Sequence, residues 1–385
     1  MMSASIDSLQ IGMHWFNERP GGLDRMFLAL IESLPAQGVS VRGMVAGTPG
    51  VFEASGGRVH AFAQANAQLG RRLWHARAQS QKLRDARMPD VVATHFALYA
   101  APTAGVFSGV PRVVHFHGPW ASESGMEGRG RLSRITRHAL ERIVYRGGTR
   151  HIVLSHAFAD ILRTRYGVRE DDIRVVPGCV DVGRFDTGLT RRQARKRLGL
   201  PQDRPLLFCV RRLVSRMGLE DLIDAMFVVK QTVPDVLLTI AGKGPLEPQL
   251  QARIVARGLE RHVRLAGFVA DAVLPLWYCA SDMTVVPTVA LEGFGLTTIE
   301  SLAAGTPVLV TPVGGLPEAV MPLSPDLVLS SSGFQALGGG IADALSGTRV
   351  LPSAQACRDY ARAHFDHPVV AAQVAQIYRE AIDAF

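Results

Sequence analysis

Short apolar runs alternate with stretches of helical periodicity along the whole chain. The helical period is clearest in residues 218–233, where Leu219, Leu222, Ile223 and Met226 recur at spacings of three and four. Alternating strands and helices are typical of parallel sheets whose two faces are covered by helices. The apolar runs are the predicted strands, and they fall at 9–16, 39–47, 90–96, 112–118, 151–157, 173–178, 205–213, 235–244, 263–267, 282–288 and 307–315.

A polar and strongly basic stretch at 186–204, DTGLTRRQARKRLGLPQDR, separates the strands into two series. A chain of 385 residues is long enough for two separate cores. We therefore predict two doubly wound α/β domains, residues 1–186 and 187–367. The last segment, residues 368–385, lies outside both of these ranges.

Composition narrows the class of protein. Hydrophobic residues make up 47% of the chain and charged residues 20%, and no apolar run approaches the roughly 18–20 residues that span a bilayer. The four cysteines form no Cys-x-x-Cys pair, so we expect no metal site, no disulfide framework and a cytoplasmic setting. The first residues lack a basic flank before an apolar segment, and we expect no signal peptide. A net charge of +8 favours an anionic partner, which could be a phosphate-bearing substrate, a membrane or a nucleic acid.

Unusual residues gather where the predicted strands of the first half end, the edge at which open parallel sheets bind ligands. Gly21-Gly22 follows the first strand, where backbone N–H groups can face an anion, although an isolated pair of this kind is more often a simple tight turn. His117-Gly118 ends a later strand, and we expect His115 and His117 to lie on opposite faces, with His117 at the exit. A structural role for that histidine stays open. No Gly-x-Gly-x-x-Gly follows the first strand, which argues against a nicotinamide-dependent oxidoreductase.

Basic residues mark two strand ends in the second half. VRRLVSRMG at 210–218 places Arg211, Arg212 and Arg216 near a helix start, and AGKGP at 241–245 adds Lys243 between two glycines. Arginine forks match phosphate geometry, so the pair of loops predicts a diphosphate site. Solvated surface loops are the alternative for either loop taken alone.

The stretch LEGFGLTTIESLAAG at 291–305 carries two acids around a glycine-rich turn. Glu292 precedes Gly293 and Gly295, and Thr297 or Thr298 is predicted to cap a helix with Glu300 in its first turn. Such a helix start can bind a phosphate, while an acid in the first turn is also favoured by the helix dipole alone. Another glycine turn, VGGLPE at 313–318, follows the next strand and is expected at the same edge of the sheet.

Taken in order, these motifs resemble the retaining glycosyltransferases of family four, which adopt the two-domain GT-B fold. The resemblance covers essentially the whole chain and rests on Gly21-Gly22, His117-Gly118, VVPGCVDVGRF, RRLVSRMG, AGKGP, LAGFV, the Glu292–Glu300 pair with AAGTPV, and VGGLPE. The segment 361–382 is similar to the family's C-terminal helix. By that resemblance, residues 368–385 cross back to the N-terminal domain, and the two domains face a central cleft.

The resemblance also implies roles. Glu300 would bind the ribose of a nucleoside-diphosphate sugar, Glu292 and His117 would act at the transferred sugar, and Gly21 and Gly22 would adjoin the acceptor. The donor-binding residues implied are Gly22, Arg212, Arg216, Lys243, Gly293, Phe294, Gly295, Leu296, Thr297 and Glu300. UDP is the favoured nucleotide and GDP the second. The expected reaction retains the anomeric configuration and needs neither cofactor nor metal, because protein cations can neutralise the leaving group.

The chain departs from the family pattern at three places. Met217 stands where the family usually has lysine, with Arg216 beside it as a candidate substitute. Arg211 stands where glycine is customary, and Gly178-Cys179 replaces the usual asparagine. These departures keep open a nucleotide-sugar-binding protein that has lost catalysis. A sugar-nucleotide epimerase of the same fold is the other alternative.

Residues 128–148 predict a basic amphipathic helix with Leu132, Ile135, Ala139, Leu140 and Ile143 on one face. Such a helix can lie on the inner face of an anionic membrane, or it can pack as an ordinary surface helix. Few aromatic residues interleave with the basic ones, which argues against nucleic acid. The expected acceptor is a saccharide, a lipid-linked molecule or a small molecule, in the synthesis of a cell-surface polysaccharide, a glycolipid or a natural-product glycoside. The sequence leaves the acceptor and the oligomeric state unassigned.

Overall fold

The computed structural model describes residues 5–122 and 131–385. The chain divides into two compact units, Met1–Cys179 together with His367–Phe385, and Val180–Asp366. The chain passes from the first unit to the second after Cys179, shortly after the last strand of the first unit. This boundary therefore precedes the basic stretch at 186–204, which lies wholly in the second unit.

The first unit is built on a sheet of seven parallel strands in the order β3-β2-β1-β4-β5-β6-β7. Its strands are β1 (Ile6–His14), β2 (Val39–Ala46), β3 (Val59–Ala63), β4 (Val91–Thr94), β5 (Arg112–Phe116), β6 (Arg150–Val153) and β7 (Ile173–Val175). All except β3 are predicted by the apolar runs. Its helices before the second unit are α1 (Gly22–Ser33), α2 (Val51–Ala54), α3 (Leu69–Ala86), α4 (Ala97–Ala100), α5 (Arg131–Arg146) and α6 (His156–Ile161).

The second unit has a sheet of five parallel strands in the order β10-β9-β8-β11-β12. Its strands are β8 (Leu206–Val210), β9 (Leu237–Ala241), β10 (Val263–Gly267), β11 (Met283–Val286) and β12 (Val308–Val310). Its helices are α7 (Val182–Phe185), α8 (Arg191–Arg197), α9 (Leu219–Thr232), α10 (Glu247–Ala256), α11 (Leu274–Ala280), α12 (Leu296–Ala303), α13 (Leu316–Val320), α14 (Phe334–Ser346) and α15 (Ala354–Phe365).

Helix α9 confirms the periodicity at 218–233. Leu219, Leu222, Ile223 and Met226 are all fully buried in the main core of the second unit, against strands β8 and β9. Strand residues such as Leu207 are also fully buried. Burial of the strands on both faces explains why they appear in the sequence as continuous apolar runs rather than as alternating ones.

The last helix, α16 (His367–Asp383), belongs to the first unit, which confirms the predicted return of the chain. Its Val370, Val374 and Tyr378 are buried, and Glu380 pairs with Arg174 at 2.9 Å. No helix within the described ranges combines the length and the apolar character needed to cross a bilayer.

Candidate functional site

The turn that leads into helix α12 is set by Gly295. This residue caps the helix with a φ of 77°, and no side chain caps it. A side chain at Gly295 would be strained in this left-handed conformation and would come 2.5 Å from Cδ2 of Leu316. The prediction that Thr297 or Thr298 caps the helix is therefore wrong. The helix begins at Leu296, before either threonine.

Glu300 lies one turn inside helix α12, not in its first turn as predicted. Its side chain is buried, and its Oε2 accepts a hydrogen bond of 2.8 Å from the hydroxyl of Tyr278. The helix dipole acts mainly on the first turn, so it no longer explains this acid. Sequence reasoning missed Tyr278, which sits in helix α11 and gives no motif of its own.

The described residues bind the carboxylate of Glu292 through only one of its two oxygens. Its Oε2 lies 3.0 Å from Nη2 of Arg211 and accepts a hydrogen bond of 3.2 Å from the hydroxyl of Thr288. The side chains of Arg211 and Glu292 are 8% and 12% exposed, so the ion pair is largely shielded from water. Among the described residues no donor meets Oε1, which leaves that oxygen for a ligand.

Polar groups without partners collect at the start of helix α12. Nε and Nη2 of Arg211 and the hydroxyls of Thr297 and Thr298 are buried and make no hydrogen bond within the described residues. The contact of Nη2 with Glu292 is close enough for an ion pair, but it is not aligned as a hydrogen bond. Buried polar groups without partners are rare in folded proteins, and several at one place indicate a site for a polar ligand.

The loops after strands β8 and β9 are packed backbone against backbone. A Cβ at Gly242, whose φ is 144°, would overlap the carbonyl oxygen of Arg211, and the backbone N–H of Arg211 donates to Ala241 at 2.9 Å. The VGGLPE turn also reaches the site, because the N–H of Gly315 donates to the carbonyl oxygen of Glu292 at 3.1 Å. These contacts fix Arg211 and Glu292 side by side.

The predicted phosphate-binding cations differ in exposure. Arg212 and Lys243 are exposed, and Nζ of Lys243 lies 5.9 Å from the ring centre of Phe268. Arg216 is 7% exposed, and its Nη1 donates a hydrogen bond of 2.9 Å to the carbonyl oxygen of Leu291. Leu291 has a φ of 52°, unusual for a residue with a side chain, so Arg216 supports a strained loop.

At the end of strand β1, Gly21 is extended and caps helix α1, and Gly22 is the first helical residue. The carboxylate of Asp24 lies beneath this turn: its Oδ1 accepts a hydrogen bond of 2.8 Å from the N–H of His14. A Cβ at Gly21 would come 2.7 Å from Oδ2 of Asp24. Asp24 is 1% exposed and was not singled out in the sequence, although an acid near a helix start is a common capping signal.

A buried network of histidines surrounds His117. Its Nε2 lies 3.1 Å from Nδ1 of His95, whose Nε2 lies 3.0 Å from Oε1 of Gln10, while His115 contacts the hydroxyl of Tyr378 at 2.9 Å. The rings of His115 and His117 are nearly parallel and both stack on His95. The expectation that His115 and His117 lie on opposite faces is wrong, because residues two apart on a strand share a face. His95 and Gln10 were missed, although His95 ends the neighbouring predicted strand.

Hydrogen-bond logic assigns the proton on His117. The hydroxyl of Ser8 donates to the carbonyl oxygen of Ser40, so it accepts from Nε2 of Gln10, and Oε1 of Gln10 then accepts from Nε2 of His95. Nδ1 of His95 is left as an acceptor, which requires the proton of His117 to sit on Nε2. Burial also lowers the pKa of His117 from 6.5 to about 4. His117 is therefore neutral, with Nδ1 as its remaining acceptor.

Helix α5 carries an exposed apolar stripe. Ile135 and Ile143 are 63% and 75% exposed, and Ala139 between them is exposed too. The opposite side is buried and includes Glu141, whose pKa burial raises to about 7. Within the predicted apolar face, Ile135, Ala139 and Ile143 are thus exposed, whereas Leu140 packs against a core of the first unit. Residues 128–130 and the side chain of Leu132 lie outside the described part of the chain.

Two family models match the chain. The model described as Glycosyltransferase Family 4 covers residues 20–184, and the one described as Glycosyl transferases group 1 covers residues 190–364. A 2-deoxystreptamine glucosyltransferase from Streptomyces kanamyceticus is 29% identical over 66% of this chain and 68% of its own length. A mannosylfructose-phosphate synthase from Agrobacterium fabrum is 33% identical over 47% of this chain and 41% of its own.

Solved structures show the same fold. Sucrose-phosphate synthase from Thermosynechococcus elongatus has a TM-score of 0.80 at 21% identity, covering 99% of this chain and 100% of that one. Anabaena Alr3699/HepE, in complex with UDP and glucose, has a TM-score of 0.77 at 20% identity, covering 97% and 100%. The two parallel α/β units are those of the GT-B fold. With one family model on each half, the chain belongs to the family-four glycosyltransferases, enzymes that transfer a sugar from a nucleotide sugar.

Proposed function

We propose that this glycosyltransferase binds the diphosphate of its donor at the start of helix α12 and transfers a hexosyl group with retention of configuration. The observation that carries the proposal is the set of buried polar groups without partners at that helix start, on Arg211, Thr297 and Thr298. Backbone N–H groups at a helix start favour anions, and no side chain caps this one. The oxygens of a sugar diphosphate supply hydrogen-bond acceptors for these donors.

The donor contacts follow from this placement. Gly293, Phe294, Gly295, Leu296 and Thr297 form the turn against which the diphosphate lies. Exposed Arg212 and Lys243 reach it from the neighbouring loops, and Gly22 is a further proposed donor contact. Buried Glu300 accepts the ribose hydroxyls, as carboxylates do in nucleotide sites. UDP is the nucleotide we favour, and GDP is the second, since a relative from Mycolicibacterium smegmatis, 32% identical over 45% of this chain, is a GDP-mannose-dependent mannosyltransferase.

Glu292 and His117 are the two residues we propose to act on the transferred sugar. Oε1 of Glu292 accepts a sugar hydroxyl, and neutral His117 offers Nδ1 to another. The bond from the anomeric carbon to the phosphate oxygen breaks, and the acceptor oxygen bonds to the same face. The acceptor's proton passes to the departing phosphate oxygen. Arg212 and Lys243 neutralise the leaving diphosphate, so we propose that the reaction needs no metal.

The acceptor is a hydroxyl compound that adjoins Gly21 and Gly22. The relatives include a 2-deoxystreptamine glucosyltransferase, a mannosylfructose-phosphate synthase and a phosphatidylinositol monomannoside mannosyltransferase, so we keep both small-molecule and lipid-linked acceptors. The exposed stripe on helix α5, with exposed Arg134 and Arg142 beside it, supports peripheral contact with the anionic inner face of a membrane.

Donor turnover tests the proposal. Wild-type protein is incubated with UDP-, GDP-, ADP- and dTDP-glucose and with GDP-mannose, and release of the nucleoside diphosphate is followed. We expect slow hydrolysis of one donor and an α-configured product from an α-linked donor, read by NMR. A β-configured product would contradict retention. Binding without any turnover, even with a panel of sugar and aminocyclitol acceptors, would favour the nucleotide-sugar-binding alternative.

Sedimentation with vesicles tests the membrane contact. Wild-type protein is expected to sediment with phosphatidylglycerol vesicles at low salt and not with phosphatidylcholine alone. Ile143→Glu should weaken that binding, whereas Val350→Glu, an equal change at a site that is 71% exposed in the second unit, should leave it intact. Equal binding to both vesicle types, or none, would contradict the contact.

A further inference from the structure

One cation in the second unit, Arg211, makes contacts at the candidate site that its sequence motif does not reveal. The sequence left Arg216 as the second phosphate-binding cation beside Arg212, but Arg216 is buried and donates to the carbonyl oxygen of Leu291. Met217 next to it is 4% exposed within the apolar core. Arg211, one of the three arginines of the predicted diphosphate site and also a departure from the family pattern, is the residue that stands beside the cap of helix α12.

Arg211 is buried, charged and incompletely satisfied. Its side chain is 8% exposed, yet Nε and Nη2 find no hydrogen-bond acceptor among the described residues. Nη2 lies 3.7 Å from the point where a Cβ on Gly295 would be, so the guanidinium stands directly beside the cap of helix α12. A buried guanidinium with unused donors next to a helix start is a suitable partner for a phosphate.

The ion pair with Glu292 does not use up this capacity. A guanidinium has five N–H donors, and a single carboxylate oxygen at 3.0 Å engages one side of it. The backbone of Arg211 is also fixed, since its N–H donates to Ala241 and Gly242 packs against its carbonyl group. The side chain therefore needs little reordering to meet a ligand.

We propose that Arg211 binds the donor diphosphate together with Arg212 and Lys243, and that it orients Glu292 so that Oε1 faces the sugar. The inference rests on the proposed function, because it assumes a nucleoside diphosphate at the start of helix α12. It assigns one residue two contacts: its unused donors bind the phosphate, and Nη2 holds the acid. Arg216 supports the loop through its hydrogen bond to the carbonyl oxygen of Leu291.

Calorimetry with UDP and uridine tests the phosphate contact, with GDP and guanosine run in parallel. Arg211→Gln should raise the Kd of the preferred nucleoside diphosphate about tenfold or more, which is about 1.4 kcal/mol. It should leave the Kd of the matching nucleoside within about twofold, a change of only a few tenths of a kcal/mol. The control, Arg192→Gln, removes an exposed arginine from helix α8 and should change neither. Equal weakening of nucleoside and nucleotide by Arg211→Gln would overturn the proposal.

A double variant separates phosphate binding from support of Glu292. Arg211→Gln alone leaves Glu292 shielded and unpaired, whereas Arg211→Gln with Glu292→Gln removes both charges and avoids that cost. We expect the double variant to bind the nucleoside diphosphate as weakly as the single one. Recovery of wild-type affinity would show that Arg211 acts only on Glu292 and would overturn the phosphate contact. If wild-type protein binds none of the nucleotides, the proposed function itself fails, and that result differs from a failure of Arg211 alone.

Discussion

At the scale of single residues, neighbouring side chains set the orientation and protonation of the candidate site residues. Glu292 is oriented by Arg211 and Thr288 and keeps one carboxylate oxygen for a ligand. His117 is held neutral and in one tautomer by a chain that passes through His95 and Gln10. In both cases a second residue that carries no motif decides what the recognisable residue can do.

Replacement of Glu292 tests its place at the sugar. Glu292→Gln should lower the rate of transfer about 100-fold, the size expected when a contact that strengthens in the transition state is lost. The Kd of the nucleoside diphosphate should stay close to the wild-type value, because the acid faces the sugar. Transfer near the wild-type rate would remove Glu292 from the reaction.

Replacement of Arg212 tests the exposed cation. Arg212→Ala should raise the Kd of the donor about tenfold, or about 1.4 kcal/mol, because one charge beside the diphosphate is lost. Arg192→Ala is the matched control, since Arg192 is also exposed in the second unit. An unchanged Kd in Arg212→Ala would place Arg212 outside the phosphate site.

The neutral state of His117 has a consequence for stability. Because the pKa of His117 is lowered from 6.5 to about 4, the folded protein binds this proton only at a lower pH than the unfolded chain does. The contribution of His117 to the free energy of unfolding is therefore full above pH 6.5. It decreases as the pH drops towards 4, by at most about 1.4 kcal/mol per pH unit. Glu141, whose pKa burial raises to about 7, acts in the opposite direction, so a comparison of variants is needed.

Urea unfolding of wild type and His117→Gln between pH 7 and pH 5 makes that comparison. The gap in free energy of unfolding between the two proteins should change with pH, the wild type losing more as the pH falls. Parallel curves would contradict a neutral His117.

At the scale of elements, the strand–helix order and the functional loops can be predicted from the sequence, because buried parallel strands are continuous apolar runs. Strand β3 (Val59–Ala63) was not predicted, because it lies at the edge of the sheet and only Val59 and Phe62 in it are buried, so it forms no continuous buried apolar run. The start of helix α12 was misplaced because threonine is a common cap, whereas a left-handed Gly295 sets this one. His95, Gln10 and Tyr378 come from three distant segments, so only the folded sheet and helix α16 reveal their contacts.

The close packing of the loops gives an element-scale prediction. Gly242→Ala should lower the free energy of unfolding by about 3 kcal/mol or more, because the added carbon overlaps the backbone of Arg211. Gly258→Ala is the control: its φ is also positive, at 59°, but open space surrounds it, so it should cost only about 1–2 kcal/mol. Urea unfolding measures both, and equal costs would contradict the tight contact between the two loops.

At the scale of the whole molecule, the residues to which we assign roles are divided between the two units. The second unit carries the polar groups without hydrogen-bond partners at the start of helix α12, and the first carries His117 with its neutral network, braced by helix α16. The family could be recognised from the order of motifs, because each motif occurs at the end of a predicted strand. The donor's base and sugar and the acceptor could not, since they depend on loop shapes that the order of motifs does not encode.

Thermal unfolding with nucleotides tests the central claim most directly, since a ligand that binds only the folded state must raise the Tm. Wild-type protein is heated with UDP, GDP, ADP or dTDP, with the corresponding nucleosides, and with inorganic pyrophosphate. We predict that one nucleoside diphosphate raises the Tm well above its nucleoside, and that Arg211→Gln loses most of that increase. No increase with any nucleoside diphosphate, or an equal increase with its nucleoside, would contradict a diphosphate site at the start of helix α12.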